Sequence, residues 1–221
     1  MDELVEKLQA LDSCAVSDAL DRLGLEGRAA LGLAQLSTTR RIAGRAVTVQ
    51  LGPDDGRGSK RHLCTAAVEA SAAGTVIVIA HGGRVDVAGW GGMLSLAASA
   101  RRVEGVVIDG ACRDLDESRE LQLPVYGRAA VPVTARGRII EYDWDVPVTI
   151  AGIGVAPGDL VIADGSGVVF IPSARAAEVV DLAATIACRE SLMAADVRAG
   201  RPVSEVMGAS YENMLKGVPG Q

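Results

Sequence analysis

Histidine and lysine are scarce in this 221-residue chain, and each scarcity removes a class of chemistry. The histidines, His62 and His81, are too few for a histidine-rich zinc site and leave little to build a Ser-His-Asp hydrolase. The lysines, Lys7, Lys60 and Lys216, lie outside the apolar strand-like segments where desolvation would activate an amine for imine chemistry. Any carbonyl chemistry in this chain should therefore depend on a metal ion and carboxylates.

Close cysteine pairs, long apolar runs and large basic clusters are also missing. We expect reduced thiols in a cytoplasmic chain without a CxxC motif; the cysteines are Cys14, Cys64, Cys112 and Cys188. No apolar run approaches the roughly 20 residues of a membrane span, and the start of the chain lacks the basic and apolar regions of a signal peptide. With a net charge of −6 as well, the chain is predicted to be cytoplasmic and to bind neither membranes nor nucleic acids.

Apolar residues make up 49% of the sequence and aromatic residues only 3%, so the core must be built from Val, Ile, Leu and Ala. The length suits one domain, which we place at residues 1–200, followed by a C-terminal arm over 201–221. Helical spacing over 2–11 is followed by a short amphipathic helix that begins at Ser13 and ends before Gly24.

The middle of the chain alternates between strand and helix patterns. In order, we predict a strand, a helix, a strand broken by His81-Gly82-Gly83, a helix and a strand, over 44–51, 60–73, 74–80, 94–102 and 106–108. This alternation implies parallel strands joined by right-handed crossovers, and hence an α/β fold.

The last third is predicted to contain short β segments and one long helix. The β segments cover 123–133, 146–155 and 160–171, and Asp164-Gly165-Ser166-Gly167 is a hairpin signal within the last of them. An amphipathic helix is predicted over 173–196.

The most informative stretch runs from Gly105 to Asp114. Val106 to Ile108 is a short apolar run typical of a buried strand, and the glycine-containing turn after it carries Arg113 and Asp114 side by side. Open α/β sheets bind ligands at the outlets of such strands. Arg113 can hold a carboxylate or enolate oxygen through paired N–H donors, and Asp114 can hold a divalent cation.

Each of these residues also has a purely structural interpretation. Arg113 and Asp114 alone would suit an ion pair at a helix start, with Asp114 as the N-cap. Asp109 would suit a cap or turn at the strand end, and Cys112 would suit a small packing residue. Gly91-Gly92 before a helix could offer backbone N–H groups to an anion or form a tight turn.

In this order and spacing, the segments resemble the family that joins metal-dependent 4-hydroxy-4-methyl-2-oxoglutarate/4-carboxy-4-hydroxy-2-oxoadipate aldolases with regulators of ribonuclease activity. The resemblance covers about residues 11–200. The matching segments are Ser17-Asp18-Ala19-Leu20, Leu23-Gly24, Gly44-Arg45-Ala46-Val47-Thr48, Gly74 to Ile79, Ala88-Gly89-Trp90-Gly91, Gly105 to Asp114, Pro157-Gly158-Asp159-Leu160-Val161 and Asp164 to Pro172.

The resemblance implies a layered α/β sandwich of the swivelling phosphohistidine-domain type, assembled as a homotrimer or hexamer. It assigns Mg²⁺ or Mn²⁺ to Asp114, and the keto oxygen of pyruvate to Arg113. Backbone amides of the glycine loop, about Gly92, Met93 and Leu94, would bind the pyruvate carboxylate. Glu190, from the C-terminal helix of a neighbouring subunit, would order metal-bound water.

One departure from the family pattern bears directly on proton transfer. The aldolases usually carry an acid directly after the glycine of the glycine loop, and this sequence has Gly92 there. Asp86 is the nearest acid in the sequence. Retention of Asp114 nevertheless argues against the regulator branch, whose members can lose that ligand.

We therefore expect a Mg²⁺- or Mn²⁺-dependent carbon–carbon lyase that releases pyruvate from a 4-hydroxy-2-oxo acid, with oxaloacetate decarboxylation as a related activity. Two alternatives stay open: a non-catalytic protein-binding regulator of the ribonuclease-inhibitor type, and a lyase or isomerase acting on another oxo acid. Arg57, Lys60 and Arg61 could select an anionic substrate tail or could form a solvated loop.

Overall fold

The computed structural model describes residues 2–56, 58 and 61–208. The helices are α1 (Glu3–Gln9), α2 (Ser13–Arg22), α3 (Thr65–Ala70), α4 (Gly92–Ala100), α5 (Leu115–Glu120), α6 (Ala176–Arg198) and α7 (Val203–Val206). A 3₁₀ turn over Ser173–Arg175 directly precedes α6. None of the helices in these ranges has both the length and the apolar character needed to cross a bilayer.

The strands are β1 (Ala29–Ala30), β2 (Ala34–Gln35), β3 (Ile42–Pro53), β4 (Thr75–Ala88), β5 (Gly105–Cys112), β6 (Val125–Gly127), β7 (Ala129–Ala130), β8 (Ile139–Trp144), β9 (Val148–Ile150), β10 (Ile153–Val155), β11 (Leu160–Asp164) and β12 (Gly167–Ile171). Along the main sheet the order is β1-β12-β11-β3-β4-β5-β6-β2, with β7 beside β5 and β8 beside β3. A separate hairpin joins β9 and β10.

The centre of the sheet is parallel, because β3, β4, β5 and β6 pair in the same direction. Side chains alternate across it: Ile77 and Ile79 of β4 pack under α3 and α4, whereas Val76 and Val78 pack toward the β9–β10 hairpin. A third cluster buries α1, α2 and α6 against β11 and β12. The layered α/β architecture expected from the resemblance is thus confirmed.

The prediction that His81-Gly82-Gly83 ends the second strand is wrong. Strand β4 continues to Ala88, although its register with β5 shifts on either side of Arg84. Gly82 and Gly83 adopt positive φ, and His81 Nε2 lies 2.9 Å from the Val87 carbonyl oxygen. The glycines therefore produce an irregular section, which the His81 contact spans, and pairing with β5 resumes after it.

Other boundaries differ from the predictions for local reasons. Helix α3 covers only Thr65–Ala70, and Lys60, where that helix was predicted to begin, lies outside the described residues. Strand β8 was not predicted, since Glu141 interrupts its apolar run although that side chain is buried. The division into a domain over 1–200 and an arm over 201–221 stays a prediction, and 209–221 lie outside the described residues.

Candidate active site

Arg113 and Asp114 lie directly between the end of β5 and the start of α5. The Arg113 N–H donates to the Trp90 carbonyl oxygen at 3.0 Å, which ties this turn to the glycine loop before α4. Asp114 has φ 56°, in the left-handed region that residues other than glycine seldom adopt. Aspartate tolerates this conformation better than most residues, and at the N-cap of α5 it turns the chain from the strand into the helix without a side-chain cap hydrogen bond.

The Asp114 carboxylate is the centre of a small polar cluster. Its Oδ2 accepts the Gly92 N–H at 3.0 Å and lies 3.2 Å from Arg113 Nε. The side chains of Arg113 and Asp114 are 40% and 34% exposed, so both remain accessible from solvent. An accessible carboxylate and guanidinium fixed side by side can hold a cation and an anionic oxygen at adjacent positions.

The glycine loop approaches this cluster so closely that a side chain at Gly91 would collide with it. A Cβ at Gly91 would lie 2.8 Å from Asp114 Oδ2 and 3.3 Å from Arg113 Nε. Gly91 is also the N-cap of α4, and its backbone is extended. The sequence motif Gly91-Gly92 therefore permits contact between the two loops, as well as starting a helix.

Two of the predicted backbone donors remain available at the start of α4. The Gly92 amide is used by Asp114, whereas the Met93 and Leu94 amides make no hydrogen bond to any other described residue. First-turn amides of a helix point toward an anion-binding position. These two donors therefore fit the carboxylate-binding role that was predicted for the loop.

Glu117 was not among the site residues predicted from the sequence. Its carboxylate lies against Gly92: a Cβ built there would be 1.5 Å from Glu117 Oε2 and 3.2 Å from Asp114 Cβ. Glu117 thus occupies the space that a side chain at position 92 would take. The spacing could have suggested it, because Glu117 is three residues after Asp114 and therefore on the same side of α5.

A cavity of about 450 Å³ opens beside these residues. Its walls include all the predicted loop residues together with the Arg113–Asp114 pair: Gly91, Gly92, Met93, Leu94, Arg113 and Asp114. Further wall residues come from the segment before α3 and from the loop before β8, among them Arg61, His62 and Arg136. The volume is in the range of small-molecule sites.

Buried hydroxyl groups hold the glycine loop, α4 and α5 together behind the cavity. Trp90 Nε1 donates to Ser95 Oγ at 2.8 Å, and Ser95 Oγ lies 2.9 Å from Ser118 Oγ. Ser95 and Ser118 are fully buried, and Trp90 is nearly so. The positions of the loop and of Asp114 are therefore coupled through one hydrogen-bonded network.

Three other residues considered in the sequence lie away from the cavity. The Asp109 carboxylate pairs with Arg128 Nε at 2.5 Å and accepts the Ala151 N–H at 2.8 Å, a structural role. Cys112 is fully buried in the core, which confirms the packing interpretation, and this burial raises the pKa of its thiol to about 12. Asp86 is exposed and pairs with Arg84, which lowers the pKa of its carboxyl to about 2.

Glu190 does not line the cavity in the single chain. It lies on α6, where burial, together with the negative charges of Asp12 and Asp18, raises the pKa of its carboxyl. A role for Glu190 at Asp114 therefore requires a second copy of the chain. That role, and the predicted homotrimer or hexamer, stay predictions.

The donor set suits a hard divalent cation. Asp114 supplies an accessible carboxylate, and the Glu117 carboxylate lies beside Gly92. The part of the chain that is described contains no cluster of three His, Cys, Asp or Glu residues that could enclose a metal ion. Mg²⁺ is commonly bound by one or two carboxylates and keeps several waters. The residues present therefore fit Mg²⁺ or Mn²⁺ better than Zn²⁺.

The fold and this site define a class of α/β protein in which a glycine loop and an Arg-Asp turn share one cavity. The family described as RraA-like, Aldolase/RraA, matches residues 13–170. The chain belongs to that family, and the resemblance seen in the sequence is confirmed.

Individual relatives carry different names. Protein DlpA of Legionella pneumophila is 30% identical over 205 residues, which are 93% of this chain and only 33% of that protein. A protein of Alcanivorax borkumensis named "Putative 4-hydroxy-4-methyl-2-oxoglutarate aldolase" is 33% identical over 163 residues, 74% of this chain and 91% of its own. The crystal structure of Streptomyces coelicolor RraAS2, described as an unusual member of the RNase ES inhibitor RraA protein family, has a TM-score of 0.78 at 29% identity and covers 87% of this chain and 96% of that one.

Proposed function

We propose that the protein is a divalent-metal-dependent lyase that releases pyruvate from 4-hydroxy-2-oxo acids, and that it also decarboxylates oxaloacetate. The observation that carries this proposal is the contact of Asp114 Oδ2 with both the Gly92 N–H and Arg113 Nε at one end of a small-molecule cavity. The name of the Alcanivorax borkumensis relative supports the same reaction.

Breaking the C3–C4 bond of such a substrate leaves an electron pair that must be held on the C2 oxygen as an enolate. Mg²⁺ or Mn²⁺ bound by Asp114 would supply a Lewis acid for this charge. Arg113 would donate to the same oxygen, a contribution that for one preorganised donor is about 3–4 kcal/mol. The amides of Met93 and Leu94 would bind the C1 carboxylate and so fix the C2 oxygen near Arg113.

Proton transfer needs a further group, because the C4 hydroxyl must lose a proton and C3 must gain one. Glu117 would serve this step through water, since its carboxylate lies beside Gly92 and Asp114. Glu190 of a neighbouring subunit would orient water from the other side. The site would then be complete only in a homo-oligomer, and its ligand would be a small oxo acid.

The test is pyruvate release, coupled to lactate dehydrogenase, from 4-hydroxy-4-methyl-2-oxoglutarate and from oxaloacetate. We expect release with Mg²⁺ or Mn²⁺ and loss of at least about 100-fold of the rate after EDTA treatment, with recovery when the metal is returned. A folded protein that releases no pyruvate from either substrate in the presence of metal would overturn the proposal.

A second candidate function, regulation of a ribonuclease, is favoured by the likeness to RraAS2. It predicts binding to a large protein partner and inhibition of RNase ES-type cleavage, unaffected by Asp114→Asn. The lyase proposal predicts instead that Asp114→Asn abolishes pyruvate release, because Asp114 is then required for activity.

A further inference from the structure

The proposed cleavage needs two proton transfers, at two different places on the substrate. The Glu117 carboxylate lies beside Gly92 and Asp114, at the end of the cavity to which the keto acid is assigned. This position suits the delivery of a proton to C3, the carbon next to the keto group. The C4 hydroxyl lies further from the keto acid, so the group that takes its proton is to be sought on another wall of the cavity.

Among the described residues that line the cavity, three carry a carboxylate or an imidazole: Asp54, His62 and Asp114. Asp114 belongs to the keto-acid end. Asp54 Oδ1 accepts the Gly56 N–H at 3.0 Å in a local turn, and a carboxylate is ordinarily a weaker base than an imidazole. His62 is therefore the side chain of this wall that is best suited to accept a proton.

A backbone contact determines which ring nitrogen of His62 carries the proton. His62 Nδ1 lies 3.2 Å from the Leu63 carbonyl oxygen. Because a carbonyl oxygen can only accept, Nδ1 is the donor, and Nε2 of the neutral ring keeps a free lone pair. Nε2 makes no hydrogen bond to another described residue, and the side chain is exposed. His62 thus has an available proton-accepting nitrogen at the cavity wall.

The backbone that carries His62 is fixed by the start of α3. Thr65 donates to the His62 carbonyl oxygen through its N–H at 3.3 Å and its Oγ1 at 2.9 Å. Cys64, the N-cap of α3, has φ 62°, and its N–H donates to Glu141 Oε2 at 2.6 Å. The Glu141 side chain is only 2% exposed, so this contact anchors the segment to the interior. A base whose backbone is held in place is better positioned for reaction than one on an unanchored loop.

We propose that His62 is a catalytic base that accepts the proton of the C4 hydroxyl during carbon–carbon cleavage. This inference rests on the proposed lyase function and assigns a residue to one of its two proton transfers. The hydroxyl proton passes to Nε2, the hydroxyl oxygen becomes the C4 carbonyl, and the C3–C4 electron pair moves into the enolate. C3 then takes a proton from water beside Glu117, and His62 returns its proton to solvent.

Two substrates separate this step from the rest of the reaction. 4-Hydroxy-4-methyl-2-oxoglutarate must lose a hydroxyl proton, whereas the keto form of oxaloacetate loses CO₂ and has no such proton; both give the enolate of pyruvate. His62→Asn keeps an amide N–H for the Leu63 carbonyl oxygen but has no basic nitrogen. We expect it to slow pyruvate release from the hydroxy acid by about 100-fold or more, and to leave release from oxaloacetate within about twofold of the wild type.

Asp54→Asn is the matched control, because it removes the other proton acceptor of this wall and keeps Oδ1 for the Gly56 N–H. It should leave both rates within about twofold of the wild type. A second readout does not depend on oxaloacetate: imidazole added to His62→Ala should restore cleavage of the hydroxy acid at least about tenfold, because a free base can then enter the vacated space.

The outcomes distinguish failure of this inference from failure of the lyase assignment. If the wild type cleaves the hydroxy acid but His62→Asn slows both substrates equally or neither, the base role of His62 is overturned and the lyase assignment stands. A selective loss in Asp54→Asn, or no recovery of His62→Ala with imidazole, would overturn that role as well. A wild type that releases no pyruvate from the hydroxy acid would overturn the proposed cleavage itself, and the role of His62 with it.

Discussion

At the scale of single residues, the absence of a side chain at position 92 leaves room for the Glu117 carboxylate beside Asp114. A side chain there would occupy the space that the Glu117 carboxylate takes. The acid that the resemblance expects after the glycine would therefore displace the Glu117 carboxylate from its position beside Gly92. The sequence alone could not reveal this, because the two positions are brought together only when α5 packs beside the start of α4.

This displacement predicts an unusual pattern of variants. Glu117→Ala should lower pyruvate release by about 100-fold through loss of a proton-transfer group. Gly92→Asp should also be impaired, since its side chain would push the Glu117 carboxylate away from Asp114, whereas the double variant should recover at least about tenfold over either single change. Coupled kinetics in excess Mg²⁺ measure all three rates, and a double variant no better than the single ones would contradict the account.

Arg113 and Asp114 show how much of the site the sequence could predict. The buried strand was predicted, but the glycine-containing turn after Ile108 was wrong, because β5 continues to Cys112 and Arg113 and Asp114 follow it directly. The role of the amides at Gly92, Met93 and Leu94 came from the resemblance. The remaining cavity wall could not be predicted in full: Arg61 was noticed as part of a charged loop, but Arg136 is distant in sequence. Glu141, whose buried carboxylate lies 3.4 Å from Arg61 Nε, is on a strand whose pattern gave no clear signal.

At the scale of elements, the buried hydroxyl network that joins the glycine loop to α4 and α5 should control stability. Ser95→Ala would leave the Trp90 indole N–H and the Ser118 hydroxyl without their shared partner, at a cost of about 1–3 kcal/mol in the free energy of unfolding. Ser99→Ala, on the same helix, is the control, because no side-chain hydrogen bond of Ser99 to another described residue is lost. Urea denaturation of both variants checks this, and equal losses would contradict it.

The Asp164 carboxyl joins α2 to the β11–β12 hairpin. Burial acts to raise the pKa of the Asp164 carboxyl, but the Ser13 N–H and hydroxyl, the Ser166 N–H and Arg41 outweigh it, so that the net pKa is lowered. Both Asp164 oxygens accept hydrogen bonds from Ser13, at 2.7 and 2.8 Å.

A carboxyl whose pKa is lower in the folded state stabilises the fold at pH values above its unfolded pKa, and loses that effect as pH falls through its folded pKa. The wild type should therefore be more stable than Asp164→Asn near neutral pH. The gap should narrow as the pH is lowered below the ordinary aspartate pKa of 3.8. Urea midpoints measured from pH 7 to pH 2 test this, and a gap that does not change with pH would contradict it.

At the scale of the whole molecule, the predicted fold class and the parallel centre of the sheet followed from strand and helix patterns, because these patterns report burial directly. The sheet edges were less predictable: β1 and β2 are two-residue strands, and β4 continues through two glycines. The oligomeric state could not be predicted from the strand and helix patterns of a single chain. Glu190 lies on α6, away from the cavity, so its proposed role at Asp114 needs a second copy of the chain.

Mixing two inactive variants tests this shared site. Asp114→Asn and Glu190→Gln should each be inactive alone, because each lacks one half of every site. After mixed refolding at equal amounts, about one quarter of the sites would combine an intact Asp114 with an intact Glu190 from the neighbouring copy. Activity that does not exceed the sum of the separate variants would contradict a site formed between subunits.

The rate of pyruvate release in saturating Mg²⁺ for Asp114→Asn, compared with Asp116→Asn, tests most directly whether catalysis depends on Asp114. Both substitutions remove one negative charge within three residues, but Asp116 is 93% exposed and pairs only with Arg119 among the described residues. We expect Asp114→Asn to lose at least about 1,000-fold of the rate and Asp116→Asn to stay within about twofold of the wild type. A comparable rate in the two variants would contradict the assignment of Asp114 as the residue on which catalysis depends.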